Sequence, residues 1–552
     1  MAIIDPTRLI NWAPGVRGGI PASRTVLLNV KNAPYNAKGD GTTDDTTAIQ
    51  NAINAASPGQ VVYLPASTYI ITSQLAISTP ITLRGDGPTN TIINYNGSDS
   101  QIDLIYCYTS SSYGTPASII SGFTKGSTSL VLSDASSISV GTIAVIRQNN
   151  DPSLVNSTGA DGLCSWCGYN QPTSTMTQLA KVTAKNGNTV TLERPFYYTF
   201  NASLNPTIQS LASQSGIGLE DFKIWRSNSA ARSGHNIYFY NLNNSWIKNV
   251  ASLMAGHRHV QMQNCYACEV RHCDCRDGWD HSSDHSYGIF LFEYNSENLI
   301  EDNIVYACRH SLIFEGGGSG NVFGYNFAAG GHDNPPNDDF LMGDSDCHGS
   351  HPYMNLWEGN ITSKIAMDNT WGSSSHNTHF RCWVENFSEN LRLPTYARWG
   401  CDIQQNAHYV NVVGCIIGHP GDTGVQFYPR NTGSDLCSYR LGCFSENTSD
   451  TLADPQVAAT ASLHGNYDFI GQSIIWDPSN SDHLLVSSLY LAQKPNWFGN
   501  LAWPPFDPAN PTATASRTSI PAGYRYINGV EPPPAGGGNA PAPPQNLRVL
   551  AS

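Results

Sequence analysis

The apolar positions along this chain follow two rhythms. Ile49, Ala52, Ile53 and Ala56 recur at i, i+3, i+4 and i+7, which puts them on one face of a helix of about three turns. Asp44 or Asp45 stands where a carboxylate caps the first amides and complements the dipole, and Pro58-Gly59 ends the element. The stretch after this helix has the shorter rhythm of β-strands: VVYLP (61–65), YIIT (69–72), LAI (75–77), ITLRG (81–85) and TIINY (91–95). The few turn-prone residues between them leave no room for helical crossovers, and the spacers are not Asn-Gly hairpin turns. A coil of short strands meets both constraints. Its first turn leaves an apolar end that a solenoid must cap, and the amphipathic helix is expected as that lid.

From about residue 116 the alternation lengthens, in STSLVLSDA and in KVTAKNGNTVTLERPFYYTF, where Asn186-Gly187 reads as a hairpin turn. An inserted antiparallel β subdomain is expected over 116–205. Residues 206–450 return to short strands with an irregular repeat. Asn303, Asn326 and Asn360 each precede an apolar residue, and Asn249 and Cys273 are read into the same slot, at intervals of 24, 30, 23 and 34 residues. One coil of about 23 residues, sometimes carrying an inserted loop, accounts for all four. Asparagines so stacked can hydrogen-bond along the axis.

At the ends, residues 1–30 form an N-terminal extension and 31–115 hold the cap and first coils. Residues 451–530, including SLYLAQKPNWFGNLAWPPFDP, are expected to cover the far end of the coil. A Pro/Gly linker begins at 531, and PQNLRVLAS looks like the first strand of a fibronectin-type-III module, which suggests a multidomain secreted parent.

The succession NVKNAPYNAKGDGTTDDTTAIQNAINAA to GQVVYLPASTYIIT closely resembles the N-terminal signature of the pectate-lyase-like, right-handed parallel β-helix superfamily. The tail at 488–508 is similar to C-terminal segments of the same superfamily. The resemblance implies an all-β solenoid with an N-terminal capping helix. It does not imply one activity, because the superfamily includes lyases, glycoside hydrolases, phage tailspikes and non-enzymatic surface proteins. The polygalacturonase-type pattern requires Asn-x-Asp, Asp-Asp, Gly-His-Gly and Arg-x-Lys on successive coils. Here NDD (337–339), DSD (344–346) and CHG (347–349) crowd into one insertion, and the chain contains neither Gly-His-Gly nor Arg-x-Lys. That family's catalytic assignments are therefore not carried over.

Composition narrows the function. A net charge of −14 with 13% charged residues offers no phosphate-neutralising surface, which argues against nucleic acid. No run of about 18 apolar residues spans a membrane. The low charge and abundant neutral polar residues suit a secreted β-protein. The start, MAIIDPTRLINWAPG, lacks the pattern of a signal peptide, so Met1 is expected to replace a removed leader. The fourteen cysteines, including CSWC (164–167) and CYACEVRHCDC (265–275), are expected as disulfides or packed thiols rather than zinc ligands, since no second pair follows at zinc-ribbon spacing.

Of the sixteen histidines, fourteen lie between 235 and 419. Counted from the asparagine slots, His257, His281, His310 and His332 are expected to form one file along the coil, beside two insertions rich in aspartate. Those insertions carry Asp280 and Asp284, and then Asp333, Asp338, Asp339, Asp344 and Asp346. Glu293 lies seven residues before Ile300 and Glu315 seven before Val322, so the two carboxyls are expected side by side over Gln263. A separation of about 5 Å suits a retaining glycosidase, and about 6.5–9.5 Å between aspartates an inverting one. Three chemistries stay open. Glu293, Glu315, Asp338, Asp339, Asp344, His310 and His332 are the candidate catalytic groups of a hydrolase, which needs no cofactor. Asp280 and Asp284 are candidate calcium ligands, which with Arg258, Arg309 or His310 as base describe a polysaccharide lyase. The third reading is a non-catalytic glycan-binding or self-assembling surface protein. Trp279, His281, Arg309, Trp357 and Trp371 are candidate contacts to a polysaccharide substrate.

Overall fold

The computed structural model describes residues 3–22, 24, 27–110, 112–229, 233–335, 340–390, 397–428, 436–446 and 452–535. Each main coil contributes three short strands, because its apolar residues come in three runs parted by polar corners. One coil contains Tyr287–Phe292, Leu299–Glu301 and Ile304–Tyr306, and the next contains Leu312–Glu315, Val322–Gly324 and Phe327–Ala329. The three pairs match in parallel register. Eleven parallel strands, from Leu75–Ile77 to Val425–Tyr428, build the first sheet, and the other two runs build the walls behind it. Alternation does the sorting. In Leu312–Glu315, Leu312 and Phe314 enter the continuous core, while Ile313 belongs to a separate cluster with Tyr287 and Phe290.

The sharp corner between the second and third runs uses a left-handed residue, among them Asp302 (φ 58°), Tyr325 (55°) and Arg381 (49°). The asparagine of the file comes directly after it at Asn303 and Asn326, and Cys382 takes that place after Arg381. The Nδ2 of Asn303 donates to Asn326 Oδ1 at 2.9 Å and that of Asn326 to Asn360 Oδ1 at 3.0 Å, so a buried file of amides satisfies itself along the axis. The expected position of Asn249 in this file is corrected. Ala251 pairs with Asp274, so Val250 stands level with Cys273, and Asn249 takes the left-handed position before it, φ 52°. A second file, Asn298–Asn321–Asn355–Asn377, runs along the preceding corner.

The helix Thr46–Ala55 lies where the apolar stripe predicts it: Ile49, Ala52, Ile53 and Ala56 close the first end of the core. Asp44 Oδ1 accepts from the Thr46 amide at 3.0 Å. At the far end the continuous core finishes on Val457 of the short helix Pro455–Thr460. That helix falls within the expected cap at 451–530, but the later part of this segment does not cover the end. It runs along the flank: Phe498, Phe506, Ile520 and Ala522 pack against Ile304, Tyr325, Phe327, Ile361, Trp383 and Ile416 from successive coils. Residues 3–17 run similarly, with Ile3, Ile4 and Trp12 against Leu299, Val322, Leu356, Phe380 and Val413.

The inserted domain is a closed six-stranded antiparallel barrel from Ala117 to Leu211 with its own core. Twelve cysteines are buried thiols, and Cys164–Cys167 is a disulfide.

Candidate active-site groove

The outer face of the eleven-stranded sheet carries the chemistry. Register sets its order: Tyr108 and Tyr240 share a level with Gln263, Phe292 and Glu315, while Tyr106 and Tyr238 share one with Gln261, Phe290, Ile313 and Asp346. The face is therefore aromatic on its earlier coils and ionisable from Glu315 onward. Arg258, level with Tyr287, lays its guanidinium 4.5 Å from the Phe290 ring centre.

A loop of the inserted barrel forms one wall. The Ala160 and Asp161 amides bond to the Asn369 and Thr370 carbonyls, and the Cys164–Cys167 disulfide closes the turn that carries Trp166. The Trp166 indole N–H donates to Glu315 Oε1 at 2.8 Å, and its ring meets Trp371 edge-on at 4.5 Å. Tyr169, from the same loop, donates its amide to Glu293 Oε2 at 2.8 Å.

These contacts set the charges. Burial pushes the Glu315 carboxyl up, against the opposing pull of His348, Arg258 and the Trp166 bond. Burial also acts on Asp284, but a hydrogen bond from His257 and the charge of Arg258 outweigh it and hold that carboxyl down at about 2. Burial would lower His348, yet Asp368, 2.6 Å from its Nδ1, raises it well above the ordinary imidazole value. Asp346 is raised, first by burial and then by the charge of Asp368, and it meets His310 Nδ1 at 3.0 Å.

Of the expected pair, Glu315 and Glu293 are adjacent but not level. Phe292 takes the position opposite Glu315, and the Glu293 amide donates to the Glu315 carbonyl at 2.9 Å. Glu293 adopts a left-handed φ of 61°, which turns it under Tyr169.

The single histidine file is likewise corrected into two groups. His281 and His332 stack on each other at 4.1 Å, where Arg309 bonds to the His281 carbonyl and pairs with Asp333. His257 and His310 belong to the groove: His257 pairs with Asp284 at 3.2 Å, and His310 lies 5.7 Å from His348. The cause is the loop 276–288, whose length breaks the count from Cys273.

The remaining expected groups divide between groove, loop and core. Trp371 stands at the groove, and Trp279 anchors a turn by donating to the Arg226 carbonyl at 2.9 Å. Trp357 is 0% exposed and stacks inside the coil between Phe323 and His379, so it cannot meet a sugar. Asp344 is also closed off, bonded to Ser311 and the Ser363 amide, with burial lifting its pKa to about 6. Asp338 and Asp339 lie outside the described residues.

Asp280 and Asp284 do not converge as calcium ligands, since Asp280 holds Ser282 and Asn334 while Asp284 holds His257 and Arg258. Among the described residues, the group that offers three ligand atoms is Asp346, His348 and Asp368, with those atoms within 4.8 Å of one another. Two carboxylates and an imidazole suit a divalent cation, and Asp346 Oδ1 is buried without a hydrogen bond. Sequence counting did not single out His348 or Asp368, although both follow from extending the Glu315 level across the next two strands. Trp166 had no such signal.

A cavity of about 300 Å³ is elsewhere: it lies outside the third run of strands, between Lys223, Arg276, His272 and the C-terminal helix Pro521–Asn528. Its Arg276, His272 and Arg525 are already paired with Asp274, Asp302 and Glu531. The groove, an open face rather than a cavity, is where unlike ionisable groups meet.

Parallel coils, helical cap and inserted barrel define the class by its fold: the chain is a parallel β-helix solenoid, similar over part of its length to pectate-lyase-like proteins. The family model described as rhamnogalacturonase A/epimerase, pectate lyase-like, matches residues 27–280. The tailspike gp61 of Pseudomonas phage phi297 shares the fold at 13% identity and a TM-score of 0.54, over 81% of this chain and 74% of that one. The tailspike gp49 of Pseudomonas phage LKA1 is 16% identical over 72% of this chain and 64% of that one, with a TM-score of 0.48. A protein described as a probable glucan endo-1,3-β-glucosidase from Arthroderma benhamiae is 44% identical over 60 residues, which are 11% of this chain and 7% of that protein's length.

Proposed function

We propose that this protein is a polysaccharide-degrading glycoside hydrolase working outside the cell, with Glu315 as general acid and Asp284 as the ionised partner that activates water. One observation carries the reading. Around a single guanidinium, Arg258, the environment drives two carboxyls apart, Glu315 upward and Asp284 down to about 2. Such a split is how neighbouring carboxyls divide acid and base work. Trp166 and Trp371 give a sugar ring aromatic surface beside the acid. The short stretch similar to a probable glucan endo-1,3-β-glucosidase supports the same class, and the Cys164–Cys167 disulfide supports an oxidising compartment.

The test is product release from a panel of polysaccharides. Glu315→Gln and Asp284→Asn should each lower the release of reducing ends by roughly 10²–10⁴-fold with the melting temperature moved by no more than a few degrees. Full activity in either variant removes that residue from the mechanism.

A second reading, a cation-dependent lyase, is favoured by the Asp346–His348–Asp368 group, whose His348 acts on Glu315 together with Arg258. It requires unsaturated products that absorb in the ultraviolet and loss of activity to a chelator. If the protein binds glycans but releases no product, the third reading, a non-catalytic glycan-binding protein, replaces both.

A further inference from the structure

On the earlier coils of the same face, four tyrosines stand together. The rings of Tyr106 and Tyr108 are parallel within 2°, with centres 4.5 Å apart. Tyr238 and Tyr240, one coil on, lie 5.2 and 6.4 Å from Tyr106. All four are half-buried, in contrast to the inward Ile105, Cys107, Ile237 and Phe239 between them, which are 0% exposed. Folding does not require four half-exposed rings on adjacent outward positions. A polar ladder would serve as well, as Gln261 and Gln263 show on the next coil.

Contacts link this platform to the ionised partner of the acid. The ring of Tyr238 meets His235 edge-on at 5.1 Å, His235 stacks on His257 at 5.5 Å, and His257 pairs with Asp284. From Tyr106 to Glu315 is four strand spacings, about 19 Å at ~4.8 Å each. The level positions between them, Tyr238, Tyr240, Gln261, Gln263, Phe290 and Phe292, carry no formal charge. Beyond His348 the outward Asp402 and Arg440 are 0% exposed, so the open stretch lies on the tyrosine side.

We propose that Tyr106, Tyr108, Tyr238 and Tyr240 form a stacking platform for a neutral polysaccharide chain, whose continuation reaches Glu315. The proposal rests on the groove assigned above and deepens it. Sugar rings present C–H faces to aromatic rings without needing a counter-charge, whereas a uronate polymer would bring its carboxylates to a stretch whose nearby guanidinium, Arg258, is already paired with Asp284, and where Asp103 stands close to His235.

The experiment uses the full chain carrying Glu315→Gln, so that no substrate is consumed. Its binding is measured calorimetrically to hexasaccharides of β-1,3-glucan, β-1,4-glucan, mannan and galactan, and to a hexamer of galacturonate. At least one neutral hexasaccharide should bind more tightly than the galacturonate. Tyr106→Ala and Tyr238→Ala should each weaken it about tenfold, while Tyr106→Phe should not, with melting temperatures unchanged throughout.

Binding by none of the neutral sugars, tighter binding of the galacturonate, or equal affinity in the alanine variants overturns the proposal. So does a stable oligomer in sedimentation equilibrium that Tyr106→Ala dissociates, since a second copy would then occupy the face. These readouts do not depend on turnover. A platform that binds in a protein that cleaves nothing refutes hydrolysis alone. Cleavage that persists with tyrosine variants unaltered refutes the platform alone.

Discussion

Replacing Glu293 with glutamine should remove a pH dependence from the stability of the fold. The residue is 2% exposed, and burial first, with the charge of Glu315 adding and the Tyr169 amide opposing, pushes its carboxyl from 4.5 up to about 8. Between those values the folded chain holds a proton that the unfolded chain has released. Stability therefore falls as pH rises from about 4.5 to about 8 and is level above. At about 1.4 kcal/mol per pH unit the fall is at most about 5 kcal/mol. The unfolding entropy of a chain of 552 residues is about 1.2 kcal/mol per kelvin, so this corresponds to about 4 °C in Tm. Glutamine keeps an oxygen to accept the Tyr169 N–H but cannot ionise. Calorimetric melting of both proteins in one-unit steps from pH 5 to 9 should show the Tm of Glu293→Gln gaining up to about 4 °C on the parent. Parallel curves would mean that Glu293 is not held neutral in the folded chain, and the burial argument would fail.

Other perturbations read other parts of the molecule. Asn326→Ala strands the amide and side-chain donors of Asn303 and should cost about 3 kcal/mol or more, seen as a lower denaturant midpoint; a neutral outcome would mean that water replaces the ladder. Ile53→Ala opens a cavity beneath the capping helix and should cost about 2–4 kcal/mol, with increased dye binding to the exposed end as a second sign. Asp368→Asn removes the charge that raises His348 while leaving an oxygen to accept its N–H, so the imidazole should titrate at lower pH by NMR, and an unmoved titration rejects the pairing.

The stacked architecture was readable because a solenoid writes its geometry as spacing. The Asn303, Asn326 and Asn360 file follows from intervals alone, and the helix stripe at 49–56 follows from its period. Counting failed where loops interrupt it. His281 sits on an insertion whose length bears no relation to the coil, so its distance from Cys273 carried no positional information. Asn249 was misplaced by one residue, since the left-handed corner position and the buried slot beside it both accept asparagine. Glu293 missed its level for a related reason, the left-handed turn just after Phe292. Trp166 was beyond reach in principle. It arrives at Glu315 on a loop of the inserted barrel, 149 residues away in sequence, and no periodicity connects the two.

The flanking segments change how this spring can come apart. A bare stack of coils touches only its neighbours and can unravel from either end. Here Arg8 ties to Thr460, Trp12 to Met354 and Val16 to Glu269, while Arg525 grips Asp302, Arg517 grips Glu385 and Arg381 holds the Phe506 carbonyl. Like two threads sewn lengthwise through the windings, these stitches make loosening one winding pull on those far from it. Under mechanical load from one end, the molecule should resist until the seams tear and then give way in large steps rather than winding by winding.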